Sequence, residues 1–477
     1  MTARAPDMHD DTRDHRDNLT KAQPAFIACV SLVLACGGCG GSDSPSNTGG
    51  ASATGSSTTS GTGDVGSTTD APDSMETGAS STTTDDPADT STSGDETGEE
   101  SETGDATQCG DGIVQDPEQC DDANAVDGDG CESDCGFSPQ ALVWERFFDL
   151  GFMESAGDLA LSPEGEVYVV GRSFDGESVR ESIVWNLRSA DGEVLWTESF
   201  TGDAALTASS VDAGDGLVAV GGSVESDGTR QESIRIYAPG GELQWSSVTP
   251  QPDLMTTYLA LHPSADAVTA SREFGTASSQ VRRTGAQDGV VWSTGTSATA
   301  TDIAVDEAGA VYVSGMAGGE GWVGKFDAAG ELQWDRTWAG AGIETRVYSV
   351  AVGPDGDVRT TGPVIGDDDV DVAVQRWSSA DGSMLMAEQV DIEGSVLAYR
   401  VDVGASGKTV VCGAHNPNGP GTEPLHAWLA EFDERGAMLW DRDLDAATCL
   451  RVKVDSDDFV VLAGSESSDV WVARVAP

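Results

Sequence analysis

Apolar and polar residues alternate along the chain from residue 141 onward, and short turns interrupt this alternation at regular intervals. The clearest example is 302–334, which reads DIAVDEAGAVYVSGMAGGEGWVGKFDAAGELQW. Its four apolar runs follow the period of two that is typical of half-buried β-strands, and short turns such as those at Gly309 and Gly330 separate the runs. The stretch therefore predicts a four-stranded sheet. Such a sheet cannot bury both of its faces alone, so it needs similar sheets beside it.

The rest of the chain supplies these neighbours as imperfect copies. The first two strands recur seven times, in segments that begin at residues 159, 210, 259, 303, 350, 401 and 452. The closing strand recurs as well, and its copies end near a large apolar residue: Trp144, Trp196, Trp245, Trp292, Trp334, Met386 and Trp440. Successive copies are 42–54 residues apart. A four-stranded unit of this length is the period of a β-propeller blade.

The two ends of the repeat region predict how the ring closes. The seventh copy has only three strands, the last of which is VWVARV at 470–475. A fourth strand is available at the start of the region, in ALVWERFF at 141–148. One N-terminal strand and three C-terminal strands complete the last blade, and this closure removes the free sheet edges. The sequence therefore predicts an all-β, seven-bladed β-propeller over 141–477, in which the recurring Trp residues pack between blades.

The unit resembles the bacterial seven-bladed β-propeller repeat, and the copy in 302–334 matches it best. The match rests on these positions: Asp306, Gly309, Val311 to Gly315, Lys325, Phe326, Asp327, Gly330 and Trp334. The third copy matches least well, since Ala270 and Ser271 replace its usual glycine end. The G-x-x-x-W turn is also similar to that of pyrroloquinoline-quinone propellers. Those enzymes have a pair of adjacent cysteines, which this chain lacks, so no cofactor is expected, although calcium stays possible.

Charge narrows the range of partners. The formal net charge is −57, from 82 acidic and 25 basic residues. Nucleic acids and anionic lipid surfaces need basic residues to neutralise them, so neither is an expected partner. A solvated acidic surface explains most of this charge. Weak binding of divalent cations is the alternative.

The N-terminal region predicts export. Residues 25–35, AFIACVSLVLA, follow Lys21 and form an apolar run too short to span a bilayer but suited to a signal peptide. The end of this run, Val33-Leu34-Ala35-Cys36, resembles the bacterial lipobox, which implies a signal peptide over 1–35 and Cys36 as the lipid acceptor. A plain secretory signal is the alternative. Residues 36–108 follow as a Ser/Thr/Gly-rich acidic tether. From residue 40 it has no aromatic residue, Lys or Arg, and it is predicted to be disordered.

A small cysteine-rich module occupies 109–135. Its four cysteines are Cys109, Cys120, Cys131 and Cys135. The module has too few apolar residues to form a hydrophobic core. A disulfide framework is therefore expected, with a zinc site as the alternative. Four cysteines allow three connectivities, and the spacing does not choose among them.

The module reads CGDG at 109–112, CDD at 120–122, Asn at 124 and GDGC at 128–131. It thus resembles the myxobacterial disulfide-repeat family, whose signature contains CGDG, ECDDGN and GDGC. The family occurs in exported, surface-associated proteins, which implies the same location here. Ala123 stands where the family usually has glycine, so a backbone conformation that favours glycine is expected at this position. Hard oxygen donors lie close together in the module, and they make a calcium site a hypothesis beside that of solvated turn residues: Asp121, Asp122, Asn124, Asp127 and Asp129.

Candidate binding residues of the propeller fall in the loops between second and third strands. The densest acidic loop contains Asp367, Asp368, Asp369 and Asp371, and the sixth copy offers His415 and His426. Solvated loop residues are the simpler interpretation of both sets, and cation binding is the alternative. Cys412 and Cys449 are expected on adjacent blades, either as a disulfide or as two buried thiols. No Ser-His-Asp or Cys-His arrangement is evident, so no catalytic residue is predicted.

These patterns together predict a monomeric lipoprotein of the cell envelope, attached to the outer membrane or cell surface only through its N-terminal lipid. The propeller is expected to be a non-catalytic binding or scaffold module for a protein or glycan partner. An extracytoplasmic hydrolase or lyase that uses loop-face carboxylates is one alternative, and a calcium-dependent structural protein is another. The fold alone does not choose among them.

Overall fold

The computed structural model describes residues 109–477, with gaps at 116–117, 176–178, 202–205, 227, 252–253, 274, 368, 420–424 and 445–447. Four predictions lie outside the described residues: the signal peptide over 1–35, the tether over 36–108, the lipid acceptor Cys36 and the acidic residue Asp368. The described part of the chain contains 29 β-strands and no α-helix. It therefore includes no helix that could cross a membrane.

The strands form seven blades around a central axis. The first strand of the chain is β1 (Leu142–Phe148). Blade one contains β2 (Met153–Leu161), β3 (Glu166–Phe174), β4 (Val179–Arg188) and β5 (Val194–Thr201). Blade two contains β6 (Thr207–Gly214), β7 (Leu217–Ser226), β8 (Thr229–Tyr237) and β9 (Leu243–Pro250). Blade three contains β10 (Leu254–Leu261), β11 (Ala267–Glu273), β12 (Ser279–Gly285) and β13 (Gly289–Gly295).

The remaining blades follow the same order from the inner strand outwards. Blade four contains β14 (Thr299–Val305), β15 (Val311–Ala317), β16 (Glu320–Phe326) and β17 (Leu332–Trp338). Blade five has a divided inner strand and contains β18 (Glu344–Thr345), β19 (Ser349–Val352), β20 (Val358–Ile365), β21 (Val370–Trp377) and β22 (Met384–Val390). Blade six contains β23 (Ser395–Val403), β24 (Thr409–Asn416), β25 (His426–Phe432) and β26 (Met438–Leu444). Blade seven contains β27 (Thr448–Val454), β28 (Val460–Glu466) and β29 (Asp469–Val475).

The first strand of the region completes the last blade. Blade seven has the strand order β1-β29-β28-β27. β1 pairs antiparallel with β29, in a register that runs from Leu142–Val475 to Phe148–Val470. The predicted all-β, seven-bladed propeller with this closure is confirmed.

A β-bulge in the inner strand accounts for the glycine at the end of the second strand. In blade seven the bulge lies between Cys449 and Arg451, and Cys449 pairs with Gly464. A Cβ atom at Gly464 would lie 1.9 Å from the carbonyl oxygen of Thr448. Equivalent glycines in blades two, four and six would meet a carbonyl oxygen at 2.1–2.3 Å. Blade three tolerates Ser271 because its bulge lies earlier along the strand, between Leu254 and Thr256.

The recurring Trp residues connect each blade to the next one. The indole Nε1 of Trp144 donates to the carbonyl oxygen of Ser189 at 2.6 Å, and that of Trp196 donates to Pro239 at 2.6 Å. Trp334 lies against the turn glycine of the following blade, since a Cβ atom at Gly382 would be 2.6 Å from the indole. These contacts agree with the predicted packing role and leave the Trp rings little freedom to bind a ligand.

Three disulfides cross-link the described residues. In the cysteine module Cys109 pairs with Cys135 and Cys120 with Cys131, so one bridge is nested inside the other. The predicted disulfide framework is therefore confirmed, and the structure selects one of the three connectivities. The third bridge joins Cys412 of β24 to Cys449 of β27, with a Cα–Cα distance of 5.8 Å, and it links blades six and seven. Disulfides of this kind indicate an extracytoplasmic environment.

The segment that follows the cysteine module lies beside blade seven, where the two ends of the propeller region meet. The ring of Phe137 packs edge-to-face against that of Phe459, which directly precedes β28, at a centroid distance of 5.9 Å. The backbone N–H of Gln140 donates to the carbonyl oxygen of Pro477 at 3.3 Å. The segment between the module and the propeller therefore packs against blade seven.

Ala123 carries backbone strain that glycine would remove. Its φ is +65°, in the left-handed region that L-residues avoid at a cost of about 1–2 kcal/mol. Glycine loses about 0.4–1 kcal/mol more conformational entropy on folding, which offsets part of this gain. We expect Ala123→Gly to stabilise the module by up to about 1 kcal/mol, measured as slower amide hydrogen exchange. Ala125 has no positive φ, so Ala125→Gly should speed exchange, and a faster rate in Ala123→Gly would contradict the prediction.

Candidate functional site

The propeller has two ends with different loops. We call the loop face the end formed by connections between second and third strands and between consecutive blades, such as 467–468 and 391–394. The opposite end, the turn face, carries the tight turns between first and second strands and between third and fourth strands. Phe459 lies in one of these turns, so the segment from the cysteine module contacts the turn face. The loop face is therefore the more open end.

An acidic and apolar patch on the loop face contains part of the predicted acidic loop. We call it the blade-five rim and define it as Ile343, Asp369, Asp371 and Asp391. Carboxylate oxygens of the three Asp residues lie within 4.8 Å of one another. Ile343 is 65% exposed, and its N–H donates to the carbonyl oxygen of Ile365 in the same blade at 2.7 Å. The rim thus combines converging negative charge with an exposed apolar side chain.

Gln389 holds this patch together from the outer strand. Its Nε2 donates to the Asp371 carboxylate at 2.6 Å, and its Oε1 accepts a hydrogen bond from the N–H of Ala341 at 2.9 Å. Partial burial raises the pKa of Asp371, and the nearby charges of Asp369 and Asp391 raise it further. Asp367 is exposed in the same turn but is not one of the three converging acids.

The two predicted histidines lie in strands, where a shared loop was expected. His415 in β24 pairs directly with His426 in β25. Nδ1 of His415 is 2.8 Å from the Asp443 carboxylate, and Nε2 is 2.9 Å from the carbonyl oxygen of Glu393. Both ring nitrogens of His415 therefore face protein acceptors, and neither nitrogen is free to bind a metal ion. The connection between β7 and β8 is short as well, since Glu225 pairs with Arg230 between these strands.

The oxygen donors of the cysteine module organise its own turns. The Asp121 carboxylate accepts hydrogen bonds from four backbone N–H groups, those of Gly110, Asp111, Gly112 and Ala123, at 2.8–3.0 Å. Asp127 accepts one from Ser133, and the Asn124 amide donates to Asp129. Asp122 accepts one from the N–H of Asn124 at 3.3 Å. These side chains therefore hydrogen-bond within the module itself, and the calcium site there stays a prediction.

Sequence reasoning missed a charged central channel. All seven inner strands line a cavity of about 210 Å³. Seven charged side chains from five of these strands line it: Asp158, Asp212, Asp302, Arg400, Asp402, Arg451 and Lys453. The seven copies of the first strand contained a signal for the channel. At one equivalent position most copies have Ala, whereas three copies have the charged residues Asp212, Asp402 and Lys453.

The acidic groups of the channel connect neighbouring blades. Asp158 accepts hydrogen bonds from the Ser210 hydroxyl at 2.8 Å and the Val211 N–H at 3.0 Å. In the same way Asp302 accepts the Ser349 hydroxyl at 2.7 Å and the Val350 N–H at 3.2 Å. With those of Asp212 and Asp402 to Leu261 and Val454, these contacts join blade one to two, two to three, four to five and six to seven.

Three ion pairs complete the channel, and in one of them Nε of Arg400 lies 4.0 Å from the carboxylate of Asp302. Nε of Arg451 is 2.9 Å from Asp158, so this pair joins blade seven to blade one. Burial, followed by the charge of Arg400, lowers the pKa of Arg451 to about 10, so the guanidinium stays charged near neutral pH. Lys453 lies 4.0 Å from Asp402, whose charge raises the pKa of the lysine. Burial raises the pKa of both Asp212 and Asp402.

Comparison with known families identifies the cysteine module. Residues 106–136 match the family model described as a domain of unknown function (DUF4215). This match covers the module and assigns no activity to it. No curated protein matches the chain.

Solved propeller structures are similar to the chain at a low level. The WD40 β-propeller domain of Doa1 is 14% identical with a TM-score of 0.44, covering 71% of this chain and 96% of that one. The Dos1 propeller is 10% identical with a TM-score of 0.45, covering 70% and 95%. The virginiamycin B lyase from Staphylococcus aureus is 11% identical with a TM-score of 0.47, covering 70% and 99%. Similarities this weak do not assign a function.

Proposed function

We propose that this protein is an exported, lipid-anchored propeller that binds a partner protein without catalysis and uses the blade-five rim as its contact surface. One observation supports this most directly: three carboxylates converge on the open face, in the blade that also carries the exposed Ile343. Among the described residues, no Lys or Arg forms an ion pair with any of the three. The negative charge of the rim is therefore available to a ligand.

The chemistry of the rim indicates the kind of partner. Converging carboxylates attract a surface rich in Lys or Arg, and opposite charge speeds encounter and sets orientation. The exposed side chain of Ile343 favours an apolar residue at the same contact. We therefore expect a protein with a basic patch around an apolar side chain. A neutral or anionic glycan lacks the charge that this rim would attract.

The position of the rim fits a protein attached through its N-terminal region. The segment after the cysteine module contacts the turn face, as the packing of Phe137 on Phe459 indicates. The rim lies on the opposite face. Attachment through Cys36 would therefore leave the rim uncovered by the segment that follows the cysteine module.

A non-catalytic role agrees with the channel. Its acidic groups accept hydrogen bonds from backbone N–H groups of the next blade, as Asp212 does from Leu261 at 2.7 Å and Asp402 from Val454 at 2.8 Å. A general acid or base needs to reach a substrate proton. Carboxylates held in this way hold the ring together, so they do not act as a general acid or base inside the channel. The hydrolase or lyase alternative would depend on the carboxylates of the loop face.

The proposal is tested by reversing charge on the rim. The full chain carrying Asp369→Lys and Asp391→Lys is compared with wild type in affinity capture from cell-envelope extracts, followed by binding measurements on the captured protein. We expect affinity to fall at least tenfold, about 1.4 kcal/mol, and the remaining binding to lose its salt dependence.

A matched control reverses two charges on the turn face. Asp288 and Glu307 are exposed there, so the variant Asp288→Lys with Glu307→Lys has the same net charge as the rim variant. It should bind the partner like wild type. Equal loss of binding in both variants would mean that net charge, and not the rim, controls association, and unchanged binding in the rim variant would exclude this surface.

A further inference from the structure

A second group of three acids lies on the loop face, where the ring closes. Carboxylate oxygens of Asp149, Glu154 and Asp469 lie within 4.8 Å of one another. Asp149 directly follows β1, Glu154 lies in β2 and Asp469 begins β29. The group therefore gathers side chains from the N-terminal strand, from blade one and from the third strand of blade seven.

Glu154 differs from every acid of the blade-five rim because it is buried. The residue is only 5% exposed. Its Oε1 accepts a hydrogen bond from the N–H of Phe152 at 2.6 Å, but its Oε2 is buried and accepts no hydrogen bond from any described residue. A buried carboxylate oxygen without a partner is costly, and native structures seldom leave one unless it has a ligand.

The charge of this group is also uncompensated. Among the described residues, no Lys, Arg or His forms an ion pair with Asp149, Glu154 or Asp469. Burial raises the pKa of Glu154, the hydrogen bond from the N–H of Phe152 lowers it, and the charges of Asp149 and Asp469 raise it further. Other acids of the propeller do have a basic partner: Asp158 forms an ion pair with Arg451, and Asp455 forms one with Arg474.

The geometry points to a calcium site formed by Asp149, Glu154 and Asp469. All three donors are hard oxygens, without a nitrogen or sulfur ligand that would favour zinc or copper. Calcium accepts several carboxylates in irregular geometry and completes its coordination with water, for which the exposed Asp149 leaves room. Magnesium is a poorer fit, because it demands near-ideal octahedral geometry and gives up its water reluctantly.

The backbone around this group is held in position before any ion binds. The turn between β28 and β29 consists of Ser467 and Ser468, both with positive φ. The carbonyl oxygen of Ser468 accepts a hydrogen bond from the N–H of Glu154 at 2.7 Å. An ion at this point would bridge the end of β1 to blade one and to β29. Calcium would thus stabilise the closure of the ring.

Thermal unfolding of the full-length protein tests the site. After removal of calcium with EGTA, the melting temperature is measured with and without about 5 mM calcium, above the Kd of about 0.1–1 mM of extracellular calcium modules. We expect calcium to raise the melting temperature of wild type by about 2–4 °C. Glu154→Gln keeps an oxygen that can accept the hydrogen bond from Phe152, and this variant should lose the rise in melting temperature that calcium causes. Asp371→Asn removes an equal charge from the blade-five rim and should keep it.

The calcium-free measurement separates a ligand role from a structural one. If Glu154 is a ligand, Glu154→Gln removes repulsion and should melt at or above the wild-type temperature in EGTA, and calorimetry should show one calcium fewer per molecule. A lower melting temperature in EGTA with an unchanged calcium shift would overturn the proposal. So would the absence of a calcium shift in wild type, or an equal shift with magnesium.

Discussion

Replacing Gly464 with alanine should destabilise the propeller by about 3 kcal/mol, at the upper end of the usual cost of overpacking. A Cβ atom there would lie 1.9 Å from the carbonyl oxygen of Thr448 and 3.0 Å from its carbonyl carbon. Both are backbone atoms of the bulged inner strand, so no side-chain rotation can relieve the clash. The strands of blade seven would have to separate where β28 meets β27.

Gly240 provides the matched control for this substitution. It lies in an exposed turn, its φ is not positive, and a Cβ atom there would have no neighbour within 4 Å. Gly240→Ala should therefore leave stability unchanged or raise it by about 0.4–1 kcal/mol. Urea unfolding of both variants measures the difference. A loss below about 1 kcal/mol for Gly464→Ala would show that the bulge moves to accept a side chain, as it has moved in blade three beside Ser271.

Arg451→Met should cost about 3 kcal/mol, because it leaves the channel carboxylate of Asp158 without its cation. The side chains of Arg451 and Asp158 are 11% and 20% exposed, so the pair is largely screened from water. Breaking a buried pair by removing one partner typically costs about 3–5 kcal/mol. We expect the lower end of this range, since Asp158 keeps its hydrogen bonds from Ser210 and Val211.

A double-mutant cycle distinguishes the lost pair from lost packing. Asp158→Asn, Arg451→Met and the double variant are unfolded in urea, and the double variant should be more stable than the sum of the single losses predicts by about 0.5–3 kcal/mol. Strict additivity of the two losses would mean that the ion pair contributes nothing and that Arg451 acts through packing alone.

The architecture was predictable because it depends on repeated local patterns. Alternating apolar runs with turn glycines mark each strand, and the spacing from Trp144 to Trp440 gives the blade period. The incomplete seventh copy implied that 141–148 would pair with 470–475, and β1 does pair with β29. Loop lengths were less predictable, since His415 and His426 belong to the strands that flank their connection.

The functional surface was only partly predictable, because its members are distant in sequence. The acidic loop pointed to Asp369 and Asp371, but Asp391 and Gln389 reach them from the outer strand and its following loop. Glu154 gave no signal, because an acid in an alternating strand predicts an exposed side chain. Its burial depends on the turn between β28 and β29, more than 300 residues later in the chain. Channel residues were missed for a similar reason, since seven separate strands create that environment.

The antiparallel pairing of β1 with β29 determines how the ring responds to a pulling force. Hydrogen bonds between two strands lie perpendicular to their direction. If residue 140 is held while a partner pulls on the loop face, the load runs along β1, and the register from Leu142–Val475 to Phe148–Val470 is sheared as a whole. If residues 140 and 477 are pulled apart instead, the same pairs open one after another from Leu142 onward. The pairing of β1 with β29 is thus strong against tension between the N-terminal attachment and the loop face. It is weak against a force that pulls residues 140 and 477 apart.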